Sequence, residues 1–169
     1  DLLNLFPKTK KIVKRIYQLG MYVVSSKEKF EGNIIRISPK DDWEYFFGYY
    51  DKSPWDITDR YMLSLRVKDA HSSVAPREPA EIVMFDTHNN NYYKILGQTN
   101  AWNVQQGCML QWLGPDYSER IVYNDFRKGQ YCSIILNIQN MKEKIIPMPV
   151  YSVSHDGKFA LTLDFSRLH

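Results

Sequence analysis

One stretch of the sequence combines aromatic rings with carboxylates, two groups that together can bind a sugar. It reads DDWEYFFGYYDKSPWD and spans Asp41 to Asp56. An aromatic face can stack on the apolar C–H patch of a sugar ring while carboxylates accept hydrogen bonds from the hydroxyls. The alternative is that most of these rings are core residues of the fold. Trp55, which follows Pro54 in a turn, is the ring that we expect to be exposed and to bind a ligand.

A second stretch, WNVQQGCMLQW from Trp102 to Trp112, is rich in side-chain amides. An amide offers both donors and acceptors, which suits a neutral hydroxylated ligand. The alternative is that these amides are solvated loop residues. The candidate ligand-binding residues of this stretch are Asn103, Gln105, Gln106 and Gln111.

Charged residues near the end of a later segment, Asp125 and Arg127, are further ligand-binding candidates. The alternative is that they pair with each other across a strand, which contributes little at a surface. His155 is expected to cap a turn. The sequence contains no phosphate-binding glycine loop, no nucleophile elbow and no metal-ligand spacing among its four histidines. It therefore predicts no cofactor and no metal, and it does not decide whether the chain is an enzyme.

The composition favours one β-rich domain. The chain has 169 residues, of which 44% are hydrophobic and 14% aromatic, and aromatic residues favour strands. A net charge of +3 does not by itself indicate a nucleic-acid or membrane partner. Cys108 and Cys132 are predicted to be core residues. No apolar run approaches the ~18 residues of a transmembrane helix, so no membrane span is predicted.

The segment FPKTKKIVKRIYQLG, Phe6 to Gly20, predicts an amphipathic helix that begins near Pro7 and stops at Gly20. Such a basic helix can lie on an anionic membrane or bind nucleic acid. The favoured interpretation is a solvated helix that docks by its apolar stripe, and nucleic acid is not a predicted partner. The predicted organisation is a helix and linker over residues 1–31 and a β domain over residues 32–169.

The rest of the chain predicts short antiparallel strands, each apolar or alternating and bounded by Asn, Asp, Gly or Pro. The predicted strands are NIIRIS (Asn33–Ser38), Tyr61–Val67, Glu81–Thr87, Tyr92–Thr99, Cys108–Gly114, Arg120–Phe126, Tyr131–Ile138, Lys142–Val150, YSVS (Tyr151–Ser154) and Phe159–Phe165.

Three segments of this β region align by eye: KSPWDITDRYMLSLRV, LQWLGPDYSERIVYNDF and YSVSHDGKFALTLDF. Each has a turn followed by an alternating strand, and the turn-to-strand junctions fall near Asp59, Ser118 and Gly157. Their spacing is close to ~40–45 residues once the polar insert Lys68–Ala80 is left out, a period typical of propeller blades. Two more strands separate consecutive copies, which makes four strands per repeat.

The segment SVSHDGKFALTLDF resembles the WD40-like and TolB-like propeller repeat, in which a Ser-Pro-Asp-Gly turn precedes an alternating strand. His155 stands where that family usually has proline. The resemblance extends from about Asp51 onward and implies an all-β fold made of antiparallel four-stranded blades of a partial β-propeller, after one N-terminal helix. Such a motif indicates fold rather than activity. The alternative fold is a complete β-sandwich.

A propeller usually has about 4–8 blades, whereas this sequence supplies about two blades and the start of another. We therefore expect either a longer parent protein or self-association through open strand edges. The predicted function is a binding or scaffold domain that recognises carbohydrate. The alternative is a polysaccharide-active enzyme, a lyase or a hydrolase, of which this chain is a part. Some lyases that resemble TolB-like propellers hold a divalent metal with several histidines and a glutamine. Of such a site, Gln111 and His155 would supply at most a part, and the remaining histidines would have to come from sequence outside this chain.

Overall fold

The computed structural model describes residues 7–25, 32–70 and 78–164. The chain divides into two compact units, Asp1–Ile35 and Arg36–His169. In the first unit, helix α1 spans Pro7–Val24. No helix among the described residues is long and apolar enough to span a bilayer.

The predicted helix is confirmed, but it does not stop at Gly20. It continues for one more turn to Val24, and the Ser25 amide donates a hydrogen bond to the Met21 carbonyl at 2.8 Å. A single glycine in a helix costs about 1 kcal/mol relative to alanine. The helix nevertheless continues from Met21 to Val24, so the glycine alone does not end it.

The second unit consists of antiparallel strands, as the sequence predicts. Sheet 1 contains β1 (Glu44–Phe46), β2 (Tyr61–Val67), β3 (Ala80–Asp86) and β4 (Tyr92–Thr99), in that spatial order. Sheet 2 contains β5 (Gln111–Trp112), β6 (Arg120–Arg127), β7 (Gln130–Asn137) and β8 (Glu143–Ile146), also in chain order. Hairpin 3 consists of β9 (Ser152–Val153) and β10 (Ala160–Leu161). Each strand therefore pairs with its neighbour in the sequence.

One predicted strand before β2 does not form, and one strand was not predicted. Residues 33–38 form no strand. There the Arg36 guanidinium donates hydrogen bonds to the carbonyls of Ser38 and Pro39, which closes a local turn. The sequence analysis also missed β1, which lies within the aromatic stretch. The three residues of β1 show no alternation of apolar and polar side chains. Its hydrogen-bond partner is the next strand, β2, which follows after a long loop.

Sheets 1 and 2 share one apolar core, because alternate residues of their strands point into it. A fully buried aliphatic side chain contributes about 1.5–3 kcal/mol relative to an exposed one. Both cysteines, Cys108 and Cys132, are free thiols buried in this core, as predicted. The other main contributors are Leu63, Leu65 and Val67 of β2, Ile82 of β3, Ile121 and Tyr123 of β6, and Ile134 and Leu136 of β7.

The opposite face of sheet 2 carries a second, smaller apolar cluster. Val122 of β6 packs there with Leu113 and Val150, and Ile135 and Val153 lie against them. Sheet 2 is therefore covered by sheet 1 on one face and by the segment leading into hairpin 3 on the other. The three groups of strands follow one another in space in the order in which they follow one another in the chain.

Asn124 of β6 fixes the segment that leads into β9. Its Nδ2 donates to the Val150 carbonyl at 2.8 Å, and its Oδ1 accepts from the Val150 amide at 2.7 Å. Asn124 is 3% exposed and Val150 is 4% exposed, so neither the Asn124 side-chain amide nor the Val150 backbone has ready access to water. The Asn124 side chain thus makes the two backbone hydrogen bonds with Val150 that a neighbouring strand would otherwise make.

The turns of the first hairpin in each group share one backbone feature. A residue with a left-handed φ precedes the second strand in each case: Asp59 at 56°, Tyr117 at 48° and Gly157 at 71°. These positions coincide, within one residue, with the junctions that the sequence alignment places at Asp59, Ser118 and Gly157. Neighbouring turns also touch, since the Ile57 amide donates to the Tyr117 carbonyl at 3.0 Å.

The contact between the second and third turns is equally close. The Tyr117 hydroxyl donates to the His155 carbonyl at 3.2 Å, and the His155 ring meets the Tyr117 ring edge-on. A Cβ at Gly114 would lie 1.9 Å from the same His155 carbonyl oxygen, so only glycine fits there. The side chains that cap this turn are Ser154 and Asp156, rather than His155.

Candidate functional site

A pocket of about 220 Å³ lies where three parts of the second unit converge: the loop between β1 and β2, the strand β5 with the turn after it, and β9. It brings together two of the residues predicted to bind a ligand, Trp55 and Gln111. The other lining residues are Asp51, Lys52, Ser53, Trp112, Gly114, Tyr117, Ser152, Val153 and Ser154.

Lys52 is the cation of this pocket, and its side chain is only 6% exposed. Its Nζ donates to Asp51 Oδ2 at 2.8 Å and lies 4.8 Å from the centre of the Tyr151 ring. A buried ammonium requires a counter-ion and polar or aromatic neighbours, because desolvation of an unpaired charge is costly. Lys52 and Asp51 therefore form a pair without net charge, with donor and acceptor groups side by side.

Two tyrosines complete the surroundings of Lys52. The rings of Tyr49 and Tyr151 meet edge-on, with their centres 6.0 Å apart. A hydrogen bond with Tyr151 raises the pKa of the Tyr49 hydroxyl above its ordinary value. The phenol therefore stays neutral at physiological pH and acts as a hydrogen-bonding group, not as a charge.

Gln111 is 8% exposed, and the backbone fixes its orientation. Its Nε2 donates to the Met109 carbonyl at 3.1 Å and, more weakly, to the Tyr151 carbonyl at 3.4 Å. These bonds leave Oε1 as the atom of this amide without a hydrogen-bond partner among the described residues. Oε1 is therefore the acceptor that this pocket-lining amide offers to a ligand hydroxyl.

Trp55 is half-buried, and two contacts hold its loop in place. The Trp112 indole Nε1 donates to the Pro54 carbonyl at 2.9 Å, and the Ser53 hydroxyl accepts from the Trp55 amide at 3.2 Å. The most exposed ring of the aromatic stretch is Tyr50, at 89%, whereas the sequence analysis expected Trp55 to hold that position. Trp55 thus presents part of its ring at the pocket on a fixed loop.

Most other rings of the aromatic stretch pack on sheet 1. Tyr45 contacts the rings of Phe85 and Tyr93, and Trp43 lies 3.8 Å from both the Arg66 guanidinium and the Lys68 ammonium, measured to its ring centre. The interpretation of these rings as core residues therefore describes their positions better than the interpretation as ligand contacts.

No family model, no curated protein and no solved structure matches this chain. Its site must be interpreted from its own geometry.

The remaining predicted site residues lie outside this pocket. Asn103 closes a tight turn, in which its Oδ1 accepts from the Gln106 amide at 2.7 Å and its backbone pairs with Gly107. Gln105 is exposed in the same turn. Asn103 stabilises this turn and Gln105 is exposed on it. Neither side chain lines the pocket that contains Trp55 and Gln111.

Asp125 and Arg127 bind each other, since Arg127 Nε donates to Asp125 Oδ2 at 2.6 Å. Both lie on β6, so the pair forms along one strand and not across two. Asp125 is 2% exposed and also accepts from the Asn100 amide, while Arg127 also pairs with Glu143. Arg127 and its two carboxylates thus hold neighbouring segments of the chain together.

The described residues contain no group of three or more His, Cys, Asp or Glu that could hold a metal ion. His155 does not line the pocket that contains Gln111. Two further histidines, His71 and His169, lie outside the described residues. The pocket itself offers an aromatic face, one charge pair and an amide, which can stack on a ring and form hydrogen bonds.

The sequence analysis missed Lys52 and Ser154, which line the pocket with Trp55 and Gln111. One signal was available for Lys52, because it is the single cation of the segment Asp41–Asp56. A lone cation among aromatic rings and carboxylates is more informative than one more carboxylate would be. Ser154 carried no such signal, because serine is common in turns of every kind.

Proposed function

We propose that sheet 1, sheet 2 and hairpin 3 are successive blades of a β-propeller that serves as a binding or scaffold domain. The order of packing supports this proposal, since sheet 2 lies between sheet 1 and hairpin 3. Each blade of a propeller is covered by a blade on either face. The matching turns at Asp59, Tyr117 and Gly157 fit the same repeat.

The alternative is a β-sandwich, in which two sheets enclose one core and their outer faces meet solvent. An experimental structure of the chain would separate the two folds. The proposal expects a common rotation axis that relates sheet 1, sheet 2 and hairpin 3. Two facing sheets without such an axis, with hairpin 3 added to a sheet edge, would overturn it.

We further propose that the pocket binds a neutral oligosaccharide. The observation that carries this proposal is the meeting of Trp55, Gln111 and the Lys52–Asp51 pair in one pocket. A half-buried indole offers a stacking face, and the amide Oε1 accepts from a hydroxyl. The ammonium and carboxylate together offer a donor and an acceptor without net charge, which favours hydroxyl groups over an ionised ligand.

A glycan array with the purified chain tests this function, followed by calorimetry with the best-binding glycan. Gln111→Leu is expected to weaken binding about tenfold through the loss of one hydrogen bond to the ligand. Gln105→Leu is the matched control, because Gln105 is an exposed amide outside the pocket, and its affinity should not change. Thermal melting of both variants shows whether the fold is retained.

Two results would overturn the carbohydrate proposal: an array without binding above background, or equal affinities for Gln111→Leu and the unmodified chain. The polysaccharide-active alternative is tested on the same glycans by adding divalent cations and analysing the products. Shortened oligosaccharides would favour an enzyme, and intact glycans that remain bound would favour a binding domain.

A further inference from the structure

Helix α1 has an unusual charge composition. The segment Pro7–Val24 contains five basic residues and no acidic residue. All five precede residue 16, so the first half of the helix is basic and the last two turns are uncharged. Such a charge distribution is attracted to a negatively charged surface and gives no attraction to a positively charged one.

The apolar residues of α1 form a broad stripe along the helix. Each residue turns about 100° around the axis, which places these side chains on an arc of about 160°. Lys11, Lys14 and Arg15 lie on the opposite side. The exposed fractions of the stripe residues run from 49% to 82%. The stripe contains Ile12, Val13, Ile16, Tyr17, Leu19, Val23 and Val24.

The last turn, which the sequence analysis placed outside the helix, enlarges this apolar surface. Val23 and Val24 extend the stripe, and Met21 and Tyr22 add apolar groups on the other side of the helix. Tyrosine is favoured at the boundary between lipid tails and headgroups, because its ring is apolar and its hydroxyl is polar. Tyr17 and Tyr22 give α1 two such groups.

We propose that α1 binds the surface of an anionic lipid bilayer and lies in the interface with its apolar stripe among the acyl chains. The basic side chains of the opposite arc then reach the phosphate and carboxylate groups of the lipids. A broad apolar stripe opposite a face whose charged residues are all basic is the composition of helices that bind in this way. The resulting role is to hold the ligand-binding sheets at a membrane.

Nucleic acid is the main competitor for a basic helix, but the apolar stripe disfavours it. Phosphate contacts by lysine and arginine supply the affinity for nucleic acid, and they leave an apolar face without a partner. A bilayer satisfies both faces of α1 at once. Nucleic acid is therefore an outcome that the test must be able to detect.

The test is co-sedimentation of the intact chain with vesicles of phosphatidylcholine, with and without phosphatidylserine. We expect binding to the anionic vesicles, weaker binding at high salt, and little binding to the neutral ones. Each basic residue near an anionic leaflet strengthens binding about fivefold. Exchange of Lys11, Lys14 and Arg15 together for glutamine is therefore expected to weaken binding about 100-fold.

The matched control exchanges Lys128, Lys142 and Lys144 for glutamine, since these are exposed cations of the β-sheets. The net charge changes equally, so unchanged vesicle binding by this control supports α1 as the binding element. A second variant, Ile16→Asp, places a charge in the apolar stripe and should weaken binding while all basic residues remain. Failure to bind anionic vesicles, equal loss in the control, or binding to duplex DNA but not to vesicles would each overturn the proposal.

Discussion

Asn124→Ala is the substitution whose consequences can be worked out most fully. The Asn124 side chain makes two hydrogen bonds to one peptide residue, Val150, and both partners are almost completely buried. Alanine removes both bonds and leaves a buried amide and a buried carbonyl without partners. Val150 leads directly into β9, and β9 supplies one wall of the candidate ligand pocket.

Each buried polar group that loses its partner costs about 1–3 kcal/mol, which gives an upper range of about 2–6 kcal/mol for the pair. Water can reach these groups if the segment around Val150 opens locally, so we expect the lower part of that range, about 2–3 kcal/mol. This corresponds to a fall in amide-exchange protection of about 30- to 150-fold in the segment from Val150 to Val153. The central strand β2 should retain its protection.

Hydrogen–deuterium exchange followed by mass spectrometry measures both regions in one experiment. Asn89→Ala is the matched control, because Asn89 is exposed in a turn and its side chain makes no hydrogen bond among the described residues. Its effect should be within about 0.5 kcal/mol. Unchanged protection around Val150 in Asn124→Ala would refute the role of Asn124 as the fixing residue, and equal loss in β2 would refute local opening.

Three further predictions concern the same sheets. Gly114→Ala should break the contact between the turn after β5 and hairpin 3, because the new Cβ would lie 1.9 Å from the His155 carbonyl oxygen. Amide exchange in hairpin 3 should therefore become faster. Burial raises the pKa of the Cys108 and Cys132 thiols, so iodoacetamide should label them only after denaturation, and rapid labelling of the native chain would contradict this. The Ser154 hydroxyl bond holds the pKa of Asp156 below its ordinary 3.8, so this carboxylate stabilises the fold above that pH and less as the pH falls through the lowered value. The free energy of unfolding, measured with urea, should therefore fall less on acidification for Asp156→Asn than for the unmodified chain. Equal falls would contradict this prediction.

Most strands could be predicted from the sequence, because their signals are local. The segments Tyr61–Val67 and Tyr92–Thr99 were predicted with the bounds that the structure gives them. Alternating apolar residues and the turn residues between them lie within a few positions of each other. β1 was missed because its three residues carry no alternation and form a strand only by pairing with β2.

The sequence could predict which types of residue line the candidate site, but not which individual residues do so. Amide and indole groups indicated Gln111 and Trp55, and the structure places both at the candidate pocket. The same argument indicated Asn103, which closes a turn, and Arg127, which pairs with Asp125. Whether a polar side chain is free for a ligand depends on which partners the fold places beside it.

The sequence by itself determined the helix, most antiparallel strands and the turns near Asp59, Tyr117 and Gly157, because each depends on residues that are close together along the chain. Only the tertiary structure decided that the loop before β2, strand β5 and strand β9 meet in one pocket. It also decided that the Lys52 side chain is buried there against the Tyr151 ring. Those contacts join segments that are far apart in sequence, and the stacking of whole sheets on shared apolar faces determines them.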